Sequence, residues 1–236
     1  MHLSELQSLL RTADSFTAIE HLQRHGTPAE IAARYEALLS DLYWKAHDLP
    51  AAITIGRAGI LYCLTQSLAP GTAPHSAHHL RSIAKGLAYD LGSFTWPGWE
   101  EPGINPMPAD LAVGRDCAQL NLRLALELKR SPERLSMSHW LIGAHALAAR
   151  DFAQAEQSFR QAQEVLPVTD PAAQSMHPCN HGYLAIAQLC QNPADAAAEK
   201  RLAEIMTHLG ARADDDAKTY LPQLQSARRL FVPTST

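Results

Sequence analysis

Apolar positions recur along this chain with a period of 3.6 residues, and no convincing alternating stretch interrupts them. From about Pro28 to Ala46, residues Ile31, Tyr35, Leu38, Leu39 and Leu42 fall on one helical face. The same reading predicts helices from about Leu49 to Leu68, His75 to Leu91 and Ala109 to Lys129. A helical hairpin follows from Ser136 to Pro167, turning at Arg150-Asp151. Three more helices are predicted near Ser175 to Cys190, Pro193 to Leu209 and Asp214 to Leu230, and Leu3 to Gln23 forms one or two shorter ones. The helix starts are marked. Thr27-Pro28-Ala29-Glu30 offers an N-cap hydroxyl, a proline at the first helical position and a glutamate positioned for a capping box. Ser131-Pro132, Asp170-Pro171 and Asn192-Pro193 repeat the cap-then-proline signal. Short links force neighbouring helices to be antiparallel. The exception is residues 93–108, SFTWPGWEEPGINPMP, whose four prolines and two glycines exclude helix and ordinary strand.

Composition narrows the function classes. An apolar fraction of 46% over 236 residues supports a sizeable core and argues against disorder. The net charge of −4, with no Lys/Arg block, does not point to nucleic acid. No stretch approaches 18 apolar residues, so no membrane span is expected. The start, MHLSELQSLLRTADSF, lacks the basic n-region and apolar run of a signal peptide. Cys63, Cys117, Cys179 and Cys190 are irregularly spaced with no CxxC, which suits buried thiols in a reduced, cytoplasmic protein.

The hairpin from Ser136 to Pro167 carries further detail. Gly143 is small where the first helix must approach its partner, and Ala155, Phe159 and Ala162 recur on one face of the second. Ile142-Gly143, the Ala155-x₃-Phe159 spacing and the closing Pro167 resemble a tetratricopeptide repeat (TPR). Trp140 stands one residue late for that pattern and Ala146 replaces its tyrosine. His47-Asp48-Leu49-Pro50-Ala51-Ala52 echoes Arg150-Asp151-Phe152-Ala153-Gln154-Ala155, with Gly56 and Gly59 where Phe159 and Ala162 stand. The resemblance implies an all-α fold: one domain over residues 1–236, with antiparallel hairpins stacked as a right-handed α-solenoid of irregular units. One such hairpin cannot bury its apolar face alone, so neighbours must stack. TPR-like proteins bind peptides or protein segments on the concave face that results.

Several residues are candidates for such binding. Trp96 and Trp99 sit in the irregular loop, either as exposed anchors lidding one end of a groove or as a structural plug packed over helix ends. Trp140 lies at a repeat position that often faces the groove, with inter-repeat packing as its alternative. His139 and His145 flank it without sharing a face. Arg115, Asn121 and Arg123 read either as a stripe able to hold a carboxylate or as a solvated helix face. Ala144 and Tyr183 complete the expected groove lining. Met137 and Leu141 stand where some TPR proteins carry a Lys/Asn carboxylate clamp, which argues against chaperone-tail binding.

Twelve histidines raise the question of metal. His75-x-x-His78-His79 and His177-x-Cys179-x-His181 lack further ligands at diagnostic spacing, so no metal or cofactor is expected. Neither GxSxG, GxGxxG, a P-loop nor HExxH is present, and the adjacent Glu100 and Glu101 are weak evidence for acid–base chemistry. The expected role is non-catalytic recognition of a peptide, protein partner or small ligand in a concave groove. The alternative is an enzyme or small-molecule sensor with its site beneath the Trp96/Trp99 loop. A homodimer formed through an apolar end face is a further possibility.

Overall fold

The computed structural model describes residues 3–167 and 171–233, with backbone alone for 171–175. Among these, eleven α-helices alternate with short links: α1 (Leu3–Thr12), α2 (Ser15–Gln23), α3 (Pro28–Trp44), α4 (Leu49–Ser67), α5 (Pro74–Phe94), α6 (Pro108–Glu127), α7 (Pro132–Ala148), α8 (Phe152–Glu164), α9 (Pro171–Gln191), α10 (Ala196–Gly210) and α11 (Asp215–Phe231). A single 3-10 turn, Pro97–Trp99, lies between α5 and α6, and no strand occurs among the described residues. The fold is all-α, as the 3.6-residue period requires. Among the described residues no helix is long and apolar enough to cross a membrane.

Local chemistry sets the helix boundaries. Thr27 Oγ1 accepts from Glu30 N at 3.3 Å and Glu30 Oε2 accepts from Thr27 N at 2.7 Å, closing the capping box that opens α3. The echoing turns use one device twice. His47 and Arg150 adopt left-handed φ values of 49° and 61°, and each is followed by an aspartate N-cap. Asp48 Oδ1 accepts from Ala51 N at 3.0 Å, and Asp151 Oδ1 accepts from Gln154 N at 3.1 Å. One expected cap moves. Asn192 Oδ1 accepts from Ala194 N in a turn holding Pro193, so α10 starts later, with Asp195 Oδ1 accepting from Ala197 N and Ala198 N. Pro171 opens α9, while its expected cap Asp170 lies outside the described residues.

The chain divides into two compact units, Met1–Thr95 with Pro102–Lys129, and Trp96–Glu101 with Arg130–Thr236. In the first unit α1 touches α2 and α3, α3 touches α4 and α5, and α5 touches α4 and α6. In the second, α7 touches α8 and α9, and α9 touches α8, α10 and α11. Within the units α1, α3, α7 and α9 therefore each meet both their hairpin partner and the next odd-numbered helix. The first core is built on Leu22, Tyr35, Leu39, Leu42, Ile55, Leu87 and Leu91, all fully buried. The second is built on Leu141, Phe159, Tyr183, Ile186, Leu202 and Leu224.

Close helix approach is engineered by size. A Cβ on Gly143 of α7 would lie 2.6 Å from Phe159 Cε1 of α8. In the first unit the roles reverse: a Cβ on Gly59 of α4 would lie 2.8 Å from Tyr35 Cβ of α3. Buried asparagines tie helices through main-chain carbonyls. Asn180 Nδ2 donates to Ser136 Oγ at 2.9 Å and to Ala162 O at 3.3 Å, joining α9 to α7 and α8. Asn121 Nδ2 donates to Lys85 O at 2.8 Å, joining α6 to α5. All four cysteines are buried thiols, and burial pushes Cys63 and Cys117 up to about 12 and Cys190 to about 11.

Candidate functional site

Five of the residues singled out by sequence converge in the second unit. Trp96 is 1% exposed, and its indole meets Trp99, Trp140, Tyr183 and Phe231 with ring centroids 5.3, 5.5, 5.8 and 6.3 Å away. Its Nε1 donates to Ala144 O at 3.0 Å. Trp140 and Ala144 belong to α7, Tyr183 to α9 and Phe231 to α11, so Trp96 reaches all three odd-numbered helices of its unit. Trp140, Ala144 and Tyr183, expected to line an open groove, are buried. These side chains of α7, α9 and α11 are covered by an indole from the same chain. Of the two readings of the loop, the plug describes Trp96, while Trp99 stays half-buried.

The segment that carries Trp96 is fastened along its length. Gly98 has no room for a side chain, because a Cβ would lie 2.1 Å from Trp96 Cη2. Ser226 Oγ, on α11, lies 2.8 Å from Gly98 O and 2.6 Å from Glu100 Oε2 and donates its one proton between them. Arg229 forms an ion pair with Glu100, whose φ of 48° is left-handed. The Ser226 hydrogen bond, together with Arg229, holds the Glu100 carboxyl below its ordinary range. Glu100 thus acts as an anchor for the segment, held by Ser226 and Arg229.

The remaining candidates do not join this cluster. Asn121 is buried and serves the α5–α6 tie described above. Arg115 and Arg123 are exposed, and Arg123 Nη1 donates to Glu127 Oε1 at 2.9 Å, four residues along α6. The stripe is therefore split between the interior and solvent. His139 is half-buried on α7. Burial lowers its pKa, a hydrogen bond with Gln161 opposes the shift, and its Nδ1 has no partner among the described residues.

The structure also assembles groups that sequence reasoning passed over. In the first unit Asp90 on α5 is half-buried, and burial lifts its carboxyl to about 6 against a partial lowering by Lys85. Glu36 on α3 keeps surface in solvent, yet burial and then the charge of Asp90 raise its pKa as well. Such paired carboxylates hold protons at higher pH than isolated ones. Because Asp90 binds its proton more tightly when folded, its contribution to stability is complete below its unfolded value near 3.8 and is lost as pH rises through about 6. Asp90→Asn should therefore stabilise the protein at pH 7 by about 1–2 kcal/mol. It should also flatten the wild-type fall in melting temperature between the two values. Thermal melts across that pH range check this, and equal slopes for both proteins would refute it.

An apolar slot of about 230 Å³ separates α4 from α6, walled by Ile60, Leu64, Val113 and Leu120, with Leu61 68% exposed at its mouth. In the second unit a groove of about 380 Å³ lies between α9 and α10, with His177, His181 and His208 on its walls. The His177-x₃-His181 spacing was visible in the sequence, whereas its partners across the groove emerge only once α10 packs against α9. Among the described residues no three His, Cys, Asp or Glu side chains converge as a metal site. No protein-family model, curated protein or solved structure matches this chain.

Proposed function

We propose that the chain is a TPR-like, non-catalytic recognition protein whose second unit carries a groove for an extended, indole-anchored peptide segment. In the resting chain the Trp96–Glu101 segment fills that groove. The observation that carries the reading is the reach of Trp96 across α7, α9 and α11, with its Nε1 on Ala144 O and Glu100 held by Ser226 and Arg229. Solenoids of this class present the first helix of each pair to a ligand. The contacts of α7 with α9 and of α9 with α11 support assigning that role to these three helices. Recognition would rest on aromatic burial, one hydrogen bond to a main-chain carbonyl and one carboxylate pinned by a hydroxyl and a guanidinium.

The test is occupancy in trans. A synthetic peptide of residues 94–103 is titrated into the Trp96→Ala protein and into the wild type, following melting temperature and amide chemical shifts. The peptide should raise the melting temperature of the variant and shift resonances of Ala144, Tyr183 and Ser226. The wild type should respond little, because its own segment competes at an effective concentration in the millimolar range. A folded variant indifferent to the peptide would reject the reading. A variant that fails to fold is replaced by Trp96→Leu, judged by the same shifts.

A further inference from the structure

We propose that the groove between α9 and α10 is a binding site for a small oxyanion, a phosphate monoester or a dicarboxylate. It lies on other residues than the Trp96 groove and stands or falls independently of it. Two helical faces build it. His177 and His181, one turn apart on α9, have ring centroids 6.0 Å apart. Arg201, Glu204 and His208 follow one another along the facing side of α10, and Ile205 supplies an apolar floor. The volume of about 380 Å³ is within the range of small-ligand sites.

The groove sets one guanidinium, Arg201, and three imidazoles against a single carboxylate, Glu204. His181 keeps part of its ring in solvent, and its pKa is lowered first by partial desolvation and then by its neighbours His177 and Arg201. Groups that repel one another across a shared space are relieved by an anion between them. Arg201 is available for that role. Its Nη2 donates to Gln188 Oε1 at 2.7 Å, and no other hydrogen bond engages its guanidinium among the described residues. The one carboxylate of the groove, Glu204, is exposed and faces Lys200 Nζ at 3.8 Å, so its charge is countered from outside. Charged groups on α8 and α11, two of the helices packed on α9, are engaged elsewhere. Glu156 of α8 is bound by Arg160, Gln188 and Gln191. On α11, Tyr220 interacts with Cys179 and Asp216. The N–H donors that the groove offers an oxyanion are those of Arg201, His177, His181 and His208.

The experiment titrates inorganic phosphate, and separately succinate, into the full chain at pH 6.0 while following the imidazole carbon-bound protons by NMR. One or both should shift His177, His181 and His208 in a saturable manner and leave the exposed His78 and His79 unmoved. Arg201→Gln should weaken that binding by at least about tenfold, the loss of a charge-assisted hydrogen bond. Phosphate alone binding identifies the ligand as a phosphoryl group, and succinate alone as a dicarboxylate. Equal movement of all histidines, affinity unchanged in Arg201→Gln, or stoichiometric Zn²⁺ binding by His177 and His181 with no response to either anion would overturn the proposal.

Discussion

Trp96→Ala is expected to cost about 3–5 kcal/mol of stability, the range for removing a buried large aromatic. The indole is the largest fully buried side chain among the described residues. Its loss opens a cavity bordered by Trp99, Trp140, Tyr183 and Phe231, and leaves Ala144 O without the Trp96 donor. Neither wall closes cheaply. Trp140 and Tyr183 belong to helices packed on other partners, and Gly98 offers no side chain to move in. Urea denaturation followed by circular dichroism reads the effect, with the exposed Phe16→Ala as a reference that should change by less than about 0.5 kcal/mol. A Trp96→Ala loss below about 1 kcal/mol would show that the second core does not depend on the segment.

Gly143→Ala should destabilise by about 1–3 kcal/mol, although glycine to alanine inside a helix ordinarily gains nearly 1 kcal/mol. The added Cβ would meet Phe159 at 2.6, 2.8 and 2.9 Å from three ring carbons. Phe159 is fully buried and packs on Tyr183 with centroids 5.3 Å apart, so its ring has nowhere to turn. Placing Phe159→Leu in the same chain should recover part of the loss, giving a coupling of about 0.5–3 kcal/mol between the two sites. Strict additivity in the double-mutant cycle would mean that Gly143 is not held small by Phe159. Gly59→Ala is the companion case. There the clash is with Tyr35 Cβ, the root of a side chain, and only separation of α3 from α4 relieves it.

These pairs mark what could be read from sequence. The Thr27 capping box, the two X-Asp turns and the smallness of Gly143 against Phe159 are local or hairpin-range patterns, and each is found in place. The facing of Trp140 was assigned by repeat position, with Ala144 and Tyr183 added as further groove lining. That register identifies a helix face and not its occupant, and the occupant is an indole distant in sequence. Glu36 and Asp90 were passed over for the same reason: nothing near either residue announces that α3 and α5 will bring them together. The stripe on α6 failed differently. Asn121 turned inward because a main-chain carbonyl of α5 offered it a buried acceptor.

The placement of Trp96–Glu101 has a consequence for how this chain can be divided. Arrays of helical hairpins are commonly shortened or lengthened by whole repeats, because each contacts only its neighbours. Here the second unit is not contiguous in the chain, since its aromatic centre is encoded upstream of residues that belong to the first. A fragment starting at Arg130 would carry every helix of that unit and lack the ring its interior is built around. No single cut separates the two units intact, and any recombination that exchanged one for a homologous part would have to carry six upstream residues with it.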